Sequence, residues 1–276
     1  MKRFLVQLFQ RSLVHPCLVP FYTHLYKLSL RGMGILNSEG SDATGERWLF
    51  QFIKSHLNVR TLVDIGANDG GYTSEFLSFF PEAQAYCFEP NPETYQMLKN
   101  TLKTTSVKIY PIAVSDHSGN AKLYDLADNA PLKSTQPTAT LASLYPSVIT
   151  ELHHQPAKCY SVKATTLDHW ATQNHLSQID WVKIDTEGHE LAVLKGAHQL
   201  IKSTSLGLVQ FEFNDMHAYS ATFFKNLLDE LPGYSFYRLL PHGWWPLPPY
   251  RPLTHEIFGF QNIVALSPKW FGRLET

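Results

Sequence analysis

The sequence of 276 residues predicts an α/β fold built on an open sheet. A short apolar strand, residues 61–65, runs into a turn that contains Gly66 and Gly70 and then into a helix. A second strand follows and ends just before the acidic residue Glu89. Farther along, the apolar strand 179–184 leads into another turn and helix. Strands that alternate with helices in this way are typical of βαβ units.

The other elements are predicted from apolar periodicity and turn residues, taken in chain order. Helices are expected at residues 48–57, from about 72, at 92–102, 166–170, 190–201 and 219–231. Strands are expected at residues 61–65, 85–88, 107–114, 121–124, 160–165, 179–184, 206–213, 235–240 and 258–266. The strand 121–124 should form a hairpin with 107–114 at the sheet edge. The last two strands should close the sheet as an antiparallel pair.

The turn after the first strand indicates the kind of ligand. Glu89 lies at the carboxyl end of the second strand, where an acidic side chain can hold both hydroxyls of a ribose. A dinucleotide turn would read Gly-x-Gly-x-x-Gly, but Asn68 stands at its middle glycine, and Asp64 and Asp69 would repel a pyrophosphate. The cationic sulfonium of S-adenosylmethionine suits the same carboxylates. The sequence therefore predicts an S-adenosylmethionine site, with a ligand-free βα turn as the alternative.

The charge balance and the cysteines indicate which partners and which cellular compartment to expect. The chain carries 23 Lys and Arg against 24 Asp and Glu, and its body has no basic patch, which argues against a nucleic-acid partner. The three cysteines, Cys17, Cys87 and Cys159, are odd in number, far apart and free of Cys-x-x-Cys spacing, which argues against a disulfide framework or a zinc site. A reducing, cytoplasmic location is therefore expected.

Residues 1–45 are predicted to form a basic, helical N-terminal extension to a main domain of residues 46–276. Basic and apolar residues are interleaved here, and no acidic residue precedes Glu39. An amphipathic helix of this composition can lie on an anionic membrane surface, and it can equally pack across the domain or form a homodimer. No run reaches the roughly 18 apolar residues of a membrane span. Gln7, Gln10 and Arg11 interrupt the apolar stretch, which argues against a signal peptide.

A second polar cluster follows the strand 179–184. Asp185, Glu187 and His189 come at a strand-to-helix junction, on the same rim of the sheet as the first glycine turn. Methyl transfer to a hydroxyl requires a group that removes the proton, and His189 is the best candidate because its reference pKa lies near operating pH. A histidine that only caps the helix is the alternative. These three residues are the predicted catalytic set, in which Asp185 could also serve as base or bind substrate.

Two further features of the chain suggest ligand contacts. Asp185, with Glu212 and Asn214 at the end of the neighbouring strand, could form an oxygen site for magnesium, although oxygen-rich strand ends also arise by coincidence. Magnesium is therefore an alternative, and no metal is the main expectation. Residues 125–158, rich in Ser, Thr, Pro, Gln and His, are too long for a simple connection and are predicted to form a lid or a binding element.

Seven short motifs occur in a characteristic order over residues 60–266. They are VDIGANDGGYT at 63–73, FEPN at 88–91, AVSD at 113–116, TLD at 166–168, VKIDTEGHE at 182–190, LKGA at 194–197 and NIVA at 262–265. In this combination the chain resembles the FkbM family of S-adenosylmethionine-dependent O-methyltransferases. The resemblance implies a class I, Rossmann-like methyltransferase sheet of seven strands with helices on both faces.

The resemblance also implies which residues contact the cofactor. Glu89 would hold the ribose, and Asp116 would lie near the adenine. The predicted cofactor-binding set is Asp64, Gly66, Asn68, Gly70, Tyr72, Thr73, Glu89, Asn91, Ala113, Val114 and Asp116. The N-terminal 45 residues and the segment 125–158 carry no comparable motif.

Two functions from different classes remain at this point. The first is methyl transfer from S-adenosylmethionine to a hydroxyl of a glycan, glycolipid or natural-product acceptor. The second is a non-catalytic or weakly cofactor-binding relative that serves as a partner-binding subunit, which the intact Asp64, Gly66, Gly70 and Glu89 disfavour. Amino methylation of nucleic acid is disfavoured as well, because residues 185–188 read Asp-Thr-Glu-Gly rather than Asn/Asp-Pro-Pro-Tyr/Phe.

Overall fold

The computed structural model describes residues 2–134 and 141–274. The strands of the described residues are β1 (Thr61–Ile65), β2 (Gln84–Phe88), β3 (Val107–Tyr110), β4 (Ile112–Val114), β5 (Gly119–Leu126), β6 (Ala157–Thr165), β7 (Ile179–Ile184), β8 (Leu206–Phe213), β9 (Ser235–Leu240), β10 (Gly243–Pro246) and β11 (Gln261–Leu266). Eight of them form one sheet in the order β10-β9-β11-β8-β7-β1-β2-β3, and β4-β6-β5 form a second, smaller sheet.

The direction of the strands places a crevice in the large sheet. Strands β3, β2, β1, β7 and β8 run parallel, and β11 pairs antiparallel with both β8 and β9. The chain proceeds from β1 outward to β3 and later returns to the other side of β1 as β7. In an open α/β sheet, such a reversal of strand order leaves a crevice at the carboxyl ends of the strands.

Helices cover the sheet on both faces. They are α1 (Lys2–Ser12), α2 (Val19–Gly32), α3 (Ser41–Thr44), α4 (Glu46–His56), α5 (Gly71–Phe79), α6 (Pro92–Thr101), α7 (Leu167–Gln173), α8 (Glu190–Lys195), α9 (His198–Lys202), α10 (Met216–Tyr219), α11 (Phe224–Glu230), α12 (Pro252–His255) and α13 (Pro268–Leu274). Short 3₁₀ turns occur at Pro16–Leu18 and Pro131–Ser134, and Val148–Leu152 is a π-helical turn.

The alternation of side chains along the strands gives the sheet two apolar faces. On one face Phe50 of α4 and Phe76 of α5 pack around Trp181 of β7, with ring centroids 5.5–5.7 Å apart. On the other face Val182 of β7 and Phe211 of β8 belong to the core that helices α7, α8 and α11 cover. The predicted α/β fold with helices on both faces is confirmed.

The strand count and the edge pairing differ from the prediction. The large sheet has eight strands rather than seven, because Gly243–Pro246 adds an edge strand to β9. The predicted strand 107–114 is divided at Pro111, which has no N–H to continue the ladder, so β3 stays in the large sheet and β4 joins the small one. The predicted hairpin was wrong: β5 pairs with β6, and β4 also pairs with β6. The antiparallel pair of β9 and β11 is confirmed.

Two predicted helices are interrupted. The helix expected to run through residue 201 ends at Lys195 and restarts at His198. Gly196 lies between them, where a Cβ would come 2.0 Å from the carbonyl oxygen of Ser115. The helix expected at 219–231 is α11, preceded by the separate short helix α10. The side chains of Asn91 and Thr166 cap helices α6 and α7, because they accept from the backbone N–H groups of Glu93 and His169.

The segment that follows α2 packs onto the edge of the large sheet. Ile35 is buried and bridges to Gln261 of β11, and the N–H of Leu36 donates to the carbonyl of Phe260 over 2.7 Å. By contrast, α1 is exposed along the side chains that the structure describes. In residues 2–134 and 141–274, no helix is long and apolar enough to cross a membrane.

Candidate active site

A cleft opens where β1, β2, β4 and β7 end. The lining combines polar residues from the strand ends with apolar residues from the small sheet and the segment after it, namely Ile65, Gly66, Asn68, Phe88, Glu89, Pro90, Ile112, Ala113, Val114, Leu123, Ala142, Leu144, Asp185, Thr186, Glu187 and His189. The cleft therefore occupies the crevice that the reversal of strand order creates.

The turn after β1 brings the backbone to the floor of the cleft. Gly66 has a φ of +83°, and a Cβ there would lie 1.7 Å from the carbonyl oxygen of Asp185. The N–H groups of Gly66 and Ala67 donate to the carbonyl of Phe88 over 2.9 and 3.0 Å. The turn thus joins the ends of β1, β2 and β7 with no room for a side chain at position 66.

Asp64 links the strand before this turn to the helix after it. Its side chain is buried and accepts a 2.5 Å hydrogen bond from the Thr73 hydroxyl at the start of α5. Burial raises the pKa of Asp64 to about 6, although the Thr73 hydroxyl favours the ionised form. Asp64 and Thr73 therefore tie β1 to α5.

Glu89 presents a carboxylate to the cleft in a fixed orientation. One of its oxygens accepts from the backbone N–H of Asn68 over 3.0 Å, and the other accepts from the backbone N–H of Asn91 over 2.8 Å. Each carboxylate oxygen has a second lone pair for a ligand hydroxyl. Because the side chain is only 6% exposed, burial raises its pKa to about 7 against the effect of the two donors.

Asn68 adds an acceptor beside Glu89. Its backbone has a φ of +49°, which is uncommon for a residue with a side chain and is found mostly at turns and functional sites. Its Oδ1 atom is buried and has no hydrogen-bond partner among the described residues. An unpaired buried acceptor in a cleft fits a ligand that donates hydrogen bonds, such as the amino or hydroxyl groups of S-adenosylmethionine.

The turn after β7 forms the opposite wall and is held by a buried acid. Glu190 accepts from the backbone N–H and the hydroxyl of Thr186 over 2.8 and 3.0 Å. Its other oxygen lies 2.9 Å from Nε2 of the buried His217. Burial raises the pKa of Glu190, but His217 and the Thr186 donor outweigh it and lower the pKa below its ordinary value. These contacts fix the segment that carries Asp185, Glu187 and His189.

His189 lines the cleft with one ring nitrogen engaged. Its Nε2 lies 2.9 Å from the hydroxyl of Ser115, at the end of β4. Its Nδ1 is buried and has no hydrogen-bond partner in the described part of the chain. Burial lowers the pKa of His189, so the ring is neutral near pH 7. A neutral imidazole with a free nitrogen in a cleft can accept a proton from a bound hydroxyl.

Asp185 connects the cleft to a buried charge cluster. Lys183 Nζ lies 2.9 Å from Glu212, 3.4 Å from Asp185 and 3.8 Å from Glu46. Burial lowers the pKa of Lys183, but the three carboxylates more than offset it and raise the pKa well above its ordinary value. Burial, together with Asp185, raises the pKa of Glu212 to about 8 and that of Glu187 well above its ordinary value.

The alternative of a magnesium site receives no support. Within residues 2–134 and 141–274, no group of three or more His, Cys, Asp or Glu side chains is placed to hold a metal ion. Asp185 and Glu212 instead share Lys183, which occupies the space between them with an ammonium group. The side chain of Asn214 accepts from the backbone N–H of Met216 and lies beside His217.

The structure brings eight of the predicted site residues together in the cleft and places six elsewhere. Gly66, Asn68, Glu89, Ala113, Val114, Asp185, Glu187 and His189 line the cleft, whereas Asp64, Gly70, Tyr72, Thr73, Asn91 and Asp116 do not. The Tyr72 hydroxyl donates to Gln210 on the Lys183 side of the sheet, and Asn91 donates to Asp125. Asp116 is half-exposed and contacts His117 over 2.7 Å.

Several functional features carried no sequence signal. Ala142 and Leu144 line the cleft from the long segment after β5, and the Ser143 hydroxyl donates to the carbonyl of Glu187 over 2.8 Å. This segment lacks apolar periodicity, so which of its residues reach the site could not be predicted. Ser115 was part of a recognised motif, but its contact with His189 joins residues 74 apart in the chain.

Fold and site together define a methyltransferase that depends on S-adenosylmethionine. The sequence model of the methyltransferase FkbM domain matches residues 64–237, and the chain belongs to this family.

Two curated relatives and one solved structure are similar to this chain. The 2-O-methyltransferase NoeI of Sinorhizobium fredii is 24% identical over 184 residues, which cover 66% of this chain and 75% of the relative. The hexuronic acid methyltransferase AglP of Haloferax volcanii is 26% identical over 149 residues, 54% of each chain. An O-methyltransferase of Bacillus cereus, solved in complex with S-adenosylhomocysteine (SAH), superposes with a TM-score of 0.42 at 9% identity, covering 95% of this chain and 96% of that chain.

Proposed function

We propose that this methyltransferase transfers a methyl group to a hydroxyl of a sugar. The observation that carries the proposal is that two groups line the same cleft. One is the carboxylate of Glu89, which backbone N–H groups hold in place, and the other is the neutral imidazole of His189, of which only Nε2 is hydrogen-bonded within the described residues. The first can hold a ribose and the second can take a hydroxyl proton. The names of NoeI and AglP, one a 2-O-methyltransferase and the other a hexuronic acid methyltransferase, support a sugar as the acceptor.

The residues present fit S-adenosylmethionine, which supplies an electrophilic methyl group when bound. Glu89 would accept from the ribose hydroxyls, and Asn68 would offer its unpaired Oδ1 to a donor on the ligand. The apolar side chains of Ile112, Ala113 and Leu144 would cover the adenine face. Asp185, at the end of β7, would complement the positive charge of the sulfonium.

His189 would act as the general base. Its Nε2 is held by the Ser115 hydroxyl, which leaves Nδ1 to receive the proton that the acceptor hydroxyl loses. Because burial lowers the pKa of His189, the ring is in its basic form at neutral pH. Asp185 and Glu187 would orient the sugar by accepting hydrogen bonds from its other hydroxyls.

The charges on this side of the cleft favour an uncharged sugar. Asp185 and Glu187 line the cleft, and Glu46 and Glu212 lie close to Lys183 behind it. The crowding of acids already raises the pKa values of Glu187 and Glu212, so another carboxylate, on the acceptor, would add to the same repulsion. We therefore expect a neutral or amino sugar to be a better acceptor than a uronic acid.

The proposal is tested by methyl transfer from radiolabelled S-adenosylmethionine to a matched panel of neutral, amino and uronic saccharides. We expect labelled product that resists mild base, as an ether does, from neutral or amino sugars. Product as a base-labile ester, or exclusive use of uronic acids, would refute the neutral hydroxyl acceptor. Labelling of the saccharide only at nitrogen would refute O-methylation.

Glu89→Ala is expected to weaken binding of SAH. The loss of a charge-assisted pair of hydrogen bonds is worth roughly 1.5–3 kcal/mol, or about 10- to 150-fold in Kd. Isothermal calorimetry measures the effect, and Glu89→Gln is the matched variant that keeps the shape but removes the charge. If both variants bind SAH as wild type does, the ribose does not use Glu89.

The affinity for SAH is also expected to depend on pH through Glu89. Burial raises the pKa of this carboxyl to about 7, so its ionised fraction grows as pH rises from 6 to 8. Since the ribose hydroxyls donate to the carboxylate, binding should be up to about tenfold tighter at pH 8 than at pH 6. In Glu89→Gln the same titration should lose this dependence. An equal pH dependence in wild type and variant would assign it to another group.

His189→Ala is expected to lower turnover and keep cofactor affinity. A positioned general base contributes typically about 10²–10⁴-fold to kcat. Ser115→Ala should have a smaller effect, because it removes only the hydroxyl that holds Nε2. The measurements are kcat with a saturating acceptor and calorimetry with SAH. Unchanged kcat in His189→Ala would leave Asp185 as the candidate base.

A further inference from the structure

Helix α2 carries apolar side chains on two opposite faces. Leu30 is 4% exposed, whereas Phe21, Leu25 and Leu28 are 60%, 48% and 67% exposed. At about 100° per residue, these three positions lie within roughly 60° of one another and opposite Leu30. An apolar stripe of this width normally faces a core. Here the described residues leave it open to solvent.

The exposed surface continues onto α1. Phe4 and Leu8, one helical turn apart, are both more than half exposed. The ring of Phe9 makes an edge contact with Tyr22, and the Tyr22 hydroxyl donates to the carbonyl of Leu13 over 3.1 Å. These contacts hold α1 beside α2. The exposed apolar side chains of these two neighbouring helices, Phe4, Leu8, Phe21, Leu25 and Leu28, are called here the N-terminal apolar surface.

All charged side chains of this part of the chain are basic. The bases are Lys2, Arg3, Arg11, Lys27 and Arg31, and the first acidic residue is Glu39. Lys27 and Arg31 are exposed on α2, one turn apart, along one side of its apolar stripe. The rest of the chain is different, because residues 39–276 carry all 24 acids and only 18 of the 23 bases.

We propose that the N-terminal apolar surface docks this protein on an anionic lipid bilayer. Apolar side chains flanked by bases are complementary to a bilayer interface, where acyl chains lie beneath anionic headgroups. A second copy of the chain would fit less well, because a two-fold contact through this surface would bring Lys27 and Arg31 of both copies close to one another. The proposal concerns the location of the enzyme and does not depend on which sugar it methylates.

The test is flotation of the full chain with vesicles. Wild type should float with equimolar phosphatidylcholine and phosphatidylglycerol, not with phosphatidylcholine alone, and added salt should weaken the binding. The double variant Lys27→Gln and Arg31→Gln should bind roughly 30-fold more weakly, because each base near an anionic surface contributes about fivefold. The double variant Leu25→Ser and Leu28→Ser should remove binding both with and without added salt.

Matched controls come from exposed residues elsewhere on the domain. Met97→Ser removes an exposed apolar side chain from α6, and Lys103→Gln with Lys122→Gln removes two exposed bases. These variants should bind vesicles as wild type does, and all variants should keep SAH binding. The proposal is overturned if folded wild type fails to bind the anionic vesicles, or binds neutral vesicles equally well. It is also overturned if light scattering shows a dimer that Leu25→Ser with Leu28→Ser converts to a monomer.

Discussion

Replacing Gly66 with alanine is expected to remove cofactor binding and to destabilise the fold. A Cβ at this position would lie 1.7 Å from the carbonyl oxygen of Asp185, so the turns after β1 and β7 would have to separate. The left-handed backbone at φ +83° adds about 1–2 kcal/mol for a residue with a side chain. Because both turns line the cleft, a displacement of about 1 Å should lower kcat/KM on the order of 100-fold or more.

The neighbouring glycine provides the control. Gly71 opens α5, and a Cβ there would meet only the Asp69 carboxylate oxygen, at 3.3 Å. Gly71→Ala should therefore keep stability and SAH affinity within a small factor of wild type. Thermal unfolding and calorimetry on both variants make the comparison. If Gly66→Ala binds SAH like Gly71→Ala, the ligand does not depend on the contact between the two turns.

Lys183→Met is expected to destabilise the fold strongly. Lys183 is 3% exposed and is the base shared by Glu46, Asp185 and Glu212. Removing one partner of a buried ion pair typically costs about 3–5 kcal/mol, because the remaining charge is left uncompensated. Methionine keeps most of the volume, so the effect should be electrostatic. Chemical unfolding measures the free energy of unfolding.

The pH dependence of this effect has a definite sign. Burial and Asp185 raise the pKa of Glu212 from 4.5 to about 8, so the folded state binds its proton more tightly than the unfolded chain does. Ionising Glu212 therefore lowers stability as pH rises from about 4.5 towards 8. Without Lys183 this loss should grow, and the destabilisation should be larger at pH 8 than at pH 5. The control is Lys195→Met, an exposed lysine on α8.

Stability of Lys183→Met equal to that of Lys195→Met at pH 8 would contradict this account. Such a result would mean that water or a shift of the acids replaces the ammonium group. The double variant Lys183→Met with Glu212→Gln should regain part of the loss, because it removes one of the uncompensated carboxyl charges.

The sequence could predict those parts of the site that depend on a local pattern of residues, such as an apolar strand followed by a turn. The turn at Gly66, the acid at Glu89 and the turn that carries Asp185 and His189 each follow directly from a strand that reads as an apolar run. Because parallel strands end on the same rim, their meeting in one cleft also follows from the fold class. These predictions required no knowledge of side-chain packing.

Other features depend on contacts between distant residues. The residues from 107 to 114 read as one strand, but Pro111 moves the second half into a sheet formed with β6, about 50 residues later. The hydrogen bond of Ser115 with His189 and the pairing of Glu190 with His217 likewise join residues on separate elements of the fold. Tyr72 and Asn91 lie in the recognised motifs, but their side chains hydrogen-bond to the protein away from the cleft.

The most direct test of the account is a crystal structure of the protein with S-adenosylhomocysteine. We expect the ribose hydroxyls about 2.6–3.2 Å from the two carboxylate oxygens of Glu89, and a donor of the ligand within the same distance of Asn68 Oδ1. The sulfur end should face Asp185 and His189 across the cleft. A ribose held without Glu89, or a sulfur directed away from the end of β7, would contradict the assignment of the cleft as the methyl-transfer site.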